Sequence, residues 1–155
     1  MSFGNAYQQS STPASFVQRL AAHLVDSLVI GFFVNVASFI AGLIIGVVSG
    51  GANEKVAETL AGLAGGLIGL VGSWLYYALL ESGPWGATLG KKALGLQVVD
   101  NDGYGISFTQ ATGRYFSHIL SGLVCGAGYL AMLFSPEKKT WHDQLSGTRV
   151  IDSRR

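Results

Sequence analysis

Two long apolar runs, Ala21 to about Val48 and Val56 to about Leu80, constrain this chain more than any other feature. A helix rises about 1.5 Å per residue, so either run outreaches the roughly 30 Å hydrocarbon core of a bilayer. Charged residues make up only 12% of the 155, about half the roughly 25% usual in a soluble domain. Too few charges remain to clothe such helices in water, and each run reads as a transmembrane span. The connecting stretch "SGGANEKVAE" is short, which makes the two spans an antiparallel hairpin.

Cationic side chains orient the hairpin, since they favour the cytoplasmic side. Arg19 precedes the first span, and Lys91, Lys92 and Arg114 follow the second, whereas the loop between them holds Lys55 beside Glu54 and Glu58. The amino terminus and the segment after Leu80 are therefore expected in the cytoplasm. Residues 1–15, "MSFGNAYQQSSTPAS", lack the basic start and apolar core of a signal peptide and read as a disordered polar tail. The first helix is expected after Pro13, with Ser15 as its cap. A membrane domain then occupies 16–151, and 152–155 form a second tail.

A third apolar stretch, 116–134, is long enough to cross once. A single crossing would carry Lys138, Lys139, Arg149, Arg154 and Arg155 outside. That conflict, together with Ser121, Gly122, Gly126 and Gly128, favours a re-entrant or interfacial helical hairpin over a third span, with its polar backbone satisfied by packing on the first hairpin. "LGLQVVDNDGYGISF" has the marks of a β-hairpin around Asn101, Asp102 and Gly103. "SGTRVID" echoes its strand character, and pairing of the two would place both segments on one side of the membrane. The fold class expected is therefore a mainly α-helical membrane protein with a small cytoplasmic β-hairpin or sheet.

Several chemistries fall away. A net charge of +1 without basic runs excludes a nucleic-acid partner, and the lone Cys125 forms neither an internal disulfide nor a thiolate cluster. "GATLGKKA" resembles a phosphate loop, but its glycines are one residue too close and no Ser or Thr follows the lysine. "DNDG" lacks the alternating oxygens and distal Glu of a calcium loop. His23, His118 and His142 are too far apart for a local metal signature. His142 beside Asp143 lacks a nucleophile to serve. An enzyme is not expected, nor a cofactor or a metal.

What remains is a polar constellation. Arg19, His23 and Asp26 fall at i, i+4 and i+7, on one face of the first helix. A carboxylate at that depth must be paired, neutralised or hydrated. His23 lies one turn away and can donate to Asp26, and burial would make such a pair titratable. Asn35, nearly opposite Asp26, is expected to bond between helices. Glu58 and Glu81 mark the ends of the second span and read as solvated, with Arg19 or Lys91 within reach of Glu81. Asp143 is expected to pair with Arg19 or Arg114, pinning the carboxyl segment to the helices. Glycines four apart, such as Gly42 and Gly46 or Gly62 and Gly66, allow close helix packing within one chain or between copies.

"RLAAHLVD", "GATLGKKALGLQVVDNDG" and "KKTWHDQLSGTRVI" together resemble the three motifs of the RDD family of bacterial integral membrane proteins, in order and over Phe16 to Ile151. Arg19, Asp26 and Asp143 match the arginine and two aspartates that name it. Lys92 stands where many members carry Arg, a change that weakens only a bidentate contact. The resemblance implies a multi-pass protein of the bacterial cytoplasmic (inner) membrane. It also implies a link to transport, including exchange of monovalent cations for protons.

Two functions follow as expectations. One is a small homo-oligomeric ion exchanger in which Asp26 titrates, His23 tunes it, and Arg19 with Asp143 forms a cytoplasmic gate, with Asn35, Glu81, Lys91 and Arg114 in support. The other is a non-transporting scaffold in the lipid bilayer whose sheet recruits a membrane or cytoplasmic protein partner.

Overall fold

A computed structural model describes residues 12–50, 53–123, 143 and 145–154. The element order is α1 (Phe16–Val48), α2 (Glu54–Ser82), α3 (Leu89–Ala93), β1 (Leu96–Asp100), α4 (Phe108–Leu123) and β2 (Thr148–Asp152). Both α1 and α2 are long and apolar enough to cross a membrane by length and composition. With 33 residues, α1 extends about 50 Å, well beyond a hydrocarbon core of about 30 Å.

Two capping boxes set where helices start. Ser15 accepts from the Gln18 amide while its own amide donates to Gln18 Oε1 at 2.8 Å. Ser107 and Gln110 repeat the arrangement, the Ser107 amide reaching Gln110 Oε1 at 2.9 Å. In both, Ser-Phe-x-Gln satisfies backbone donors that the first helical turn leaves open.

The chain divides into two compact units, Ser27–Tyr76 and the pair of segments Met1–Asp26 and Tyr77–Arg155. The first is a helical hairpin. A methyl group built on Gly65 would meet Ser38, and one on Gly69 or Gly72 would meet Val34. Contacts therefore fall along α2 as they rise along α1, the sign of an antiparallel pair. Gly42, Gly46, Gly62 and Gly66 have open space where a side chain would be. Asn35 is exposed and donates to the Gly31 carbonyl at 2.7 Å within its own helix. The expected interhelical bond is thus replaced by a local one, because the amide side chain reaches the carbonyl one turn back.

The second unit holds a two-stranded antiparallel sheet with Val98 opposite Val150 and Leu96 opposite Asp152. Leu96, Val98, Val99, Val150 and Ile151 form its apolar core. The sheet joins "LQVVD" to "TRVID", and the expected local hairpin shrinks to a single bridge between Val99 and Gly105. Asp100 explains the turn, its Oδ1 accepting from the amides of Asp102 and Tyr104 at 2.9 and 2.8 Å. Ser107 then starts α4 before a return strand can form.

Thr12 and Ala14, expected within the polar tail, bond instead to Asp152 and Val150 along the outer side of β2. Part of the third apolar stretch, 124–134, lies outside the described residues, as do 1–11, Cys125 and His142. Its described part belongs to α4, which begins at Phe108, ahead of the apolar run.

Candidate functional site

Helix α1 delivers Arg19, His23 and Asp26 from one face into the second unit, where Arg19 and Asp26 are buried. Two donors from one short segment hold Asp26. The Thr88 hydroxyl donates to Oδ2 at 2.6 Å, and the Gly90 amide donates to Oδ1 at 2.7 Å. Thr88 caps α3, its hydroxyl oxygen also facing the Lys91 amide at 3.4 Å. Asp26 therefore extends the cap of α3, and α3 in turn aims Lys91.

Glycine at position 90 is what lets α3 come so close. A methyl group there would lie 2.3 Å from the Ala22 carbonyl oxygen and 2.9 Å from the Asp26 carboxylate. The motif that fails as a phosphate loop thus serves as a backbone cradle for a carboxylate of the same chain.

A chain of ion pairs runs beside it. Arg19 donates to one oxygen of Asp143 and Arg114 to the other. Arg114 also donates through Nε to Glu81 at 3.1 Å and through Nη1 to Thr148 at 2.7 Å. Lys91 takes the other oxygen of Glu81. Burial alone disfavours the Arg114 charge, but the Asp143 and Glu81 carboxylates outweigh it and hold the guanidinium protonated well above its ordinary range.

Glu81, expected to be solvated, is 3% exposed; its two cationic partners compensate the loss of water. Across the site Arg19, Lys91 and Arg114 balance Asp26, Glu81 and Asp143. A buried set of charges is tolerable in this closed form, because removing one member would leave another uncompensated.

A cavity of about 50 Å³ opens among Arg19, His23, Asp26, Tyr77, Glu81 and Lys91. That is room for a few water molecules and too little for a metabolite. His23 Nδ1 lies 3.2 Å from the Tyr77 hydroxyl, and the His23 and His118 rings meet with centroids 5.2 Å apart. Among the described residues no group of three or more His, Cys, Asp or Glu is placed to hold a metal ion.

The site therefore brings together Arg19, His23, Asp26, Glu81, Lys91, Arg114 and Asp143, and leaves Asn35 in the other unit. Thr88, Tyr77 and Thr148 join it without having been singled out, as do His118, set aside as a metal ligand, and Gly90, set aside with the phosphate-loop motif. Only Thr88 carried a local signal, as a capping residue three positions before Lys91.

The sequence profile of the RDD family matches residues 13–147. Over 154 residues the chain is 37% identical to the Uncharacterized protein YxaI of Bacillus subtilis (strain 168), covering 90% of this chain and 97% of that protein. No solved structure matches the chain. With its profile matched over most of its length and its arginine and two aspartates gathered in one cluster, the chain belongs to the RDD family.

Proposed function

We propose that this protein exchanges protons for a small monovalent cation across the bacterial cytoplasmic membrane, with the exchange centred on Glu81. One observation carries this: a buried carboxylate, shared between Arg114 and Lys91, borders a cavity sized for water or a bare ion. Because the cluster is already charge-balanced, an added cation has to displace positive charge. Lys91 is the partner able to give way, with a side chain 12% exposed against 6% for Arg114. A proton or a cation then competes with its ammonium for the same carboxylate oxygen.

Asp26 serves a different purpose in this scheme. Held by a hydroxyl and a backbone amide, it fixes α3 and so presents Lys91. Arg19 and Asp143 close the cytoplasmic side, with the amino terminus in the cytoplasm. A second copy packed on the open glycine faces of α1 and α2 would supply further walls for a path.

A scaffold role is favoured by one feature of the same cluster, the complete pairing of its carboxylates, which suits a permanent latch. The two separate on cation binding. Added sodium or potassium chloride should raise the thermal unfolding temperature of detergent-solubilised protein saturably, choline chloride at equal ionic strength should not, and Glu81→Gln should abolish the effect. Folded wild type that responds to neither salt would leave the scaffold.

A further inference from the structure

The second unit is turned inside out on its helical side. Arg19, Asp26, Glu81 and Arg114 are buried there, while Leu24 is 59% exposed, Leu79 55%, Phe116 52% and Leu120 58%. On its sheet side the usual order returns, with Leu96, Val98, Val99 and Val150 inside.

Helix α4 shows the inversion most clearly. Arg114, its only charged residue, points inward to Asp143 and Glu81. Over Phe108–Leu120 its exposed positions, running along one stripe, are Phe108, Thr109, Gly113, Phe116, Ile119 and Leu120, with no charge among them. A helix facing water places its charges outward and its aromatic and aliphatic residues inward. Here a guanidinium is withdrawn from solvent while phenyl and isobutyl groups are offered to it, an order that is stable only where the surroundings are apolar.

We propose that the outer face of α4 lies in the bilayer, Phe116 and Leu120 contacting acyl chains while the inner face carries Arg114 to the ion-pair cluster. The occupant is lipid because the inversion is shared by exposed Leu24 on α1 and Leu79 on α2 in the same unit. A protein interface of that extent would carry a polar rim, and none of these exposed positions is charged. The described residues of α4, Phe108–Leu123, cover about 24 Å, with the charged group turned in and the apolar groups turned out along that length. The helix thereby walls the cluster from lipid, whatever the cluster does.

Nitroxides at Phe116→Cys and Leu120→Cys, in full-length Cys125→Ser protein in liposomes, test this directly, with Ile119→Cys held ready should Phe116→Cys not fold. Collisions with oxygen, which concentrates in lipid, should exceed those with a water-soluble nickel chelate severalfold at both sites. The order should reverse at Asp102→Cys in the exposed turn. A nickel excess at 116 and 120 would put the face in water and overturn the proposal. Low collision rates with both reagents would overturn it equally, showing the face covered by another part of the chain or a second copy.

Discussion

The amide of Gly90 donates to the Asp26 carboxylate at 2.7 Å, and the space beside it admits no side chain. An added methyl would strike the Ala22 carbonyl, which belongs to helical backbone and has no rotamer to change. Gly90→Ala should therefore cost about 3 kcal/mol or more, at the upper end for overpacking. Thermal unfolding in detergent measures it; a loss below about 1 kcal/mol would mean that α3 is not seated as described.

Thr88 contributes through its hydroxyl. Thr88→Ser retains both the bond to Asp26 and the cap on α3, and should be nearly neutral. Thr88→Val keeps the shape but removes the donor from a buried carboxylate, at a cost of about 1–3 kcal/mol. Equal stability of the two variants would show that the hydroxyl is dispensable.

Asp143 joins Arg19 of α1 to Arg114 of α4. Asp143→Asn leaves two buried guanidiniums with one carboxylate fewer and should cost about 3–5 kcal/mol. Adding Arg19→Gln restores the charge balance, so the double variant should lose less than the sum of the single losses. Additive losses would mean that the two residues do not interact.

At the other end of the sheet Asp152 provides a pH response. The Arg154 amide, then the Arg154 and Gln18 side chains, hold its carboxyl below the ordinary aspartate range. Its folded value lies under its unfolded one, so the stabilisation is present above the unfolded value and lost as pH falls through the folded one. Hydrogen exchange at the Arg154 amide should accelerate relative to neighbouring amides across that acidic window. Asp152→Asn should remove this pH dependence.

Much of this architecture was legible beforehand. The apolar runs announced α1 and α2 because lipid-length hydrophobicity is a local property. The strand pair was visible as the echo of Val98 and Val99 in Val150 and Ile151. Capping at Ser15 was readable, whereas the same Ser-Phe-x-Gln pattern at Ser107 was obscured by the turn before it, and so the local hairpin was expected to run longer.

The cluster was only half legible. Charges in apolar surroundings drew attention to Arg19 and Asp26, but the donors that hold Asp26 are remote, Thr88 lying 62 positions away along the chain. No period or spacing encodes such a contact. Glu81 misled for a related reason, since a carboxylate at a helix end looks solvated until the tertiary fold places Lys91 and Arg114 against it.

Flux tests the exchange proposal most directly. Proteoliposomes holding wild type, Glu81→Gln or Asp26→Asn are given imposed sodium, potassium and pH gradients, with folding checked by monodispersity. Wild type should move protons against sodium or potassium, and equally folded Glu81→Gln should not. Asp26→Asn should weaken the fold more than it changes flux per folded molecule. No flux from well-folded wild type under any gradient, or full flux from Glu81→Gln, would contradict exchange at this carboxylate.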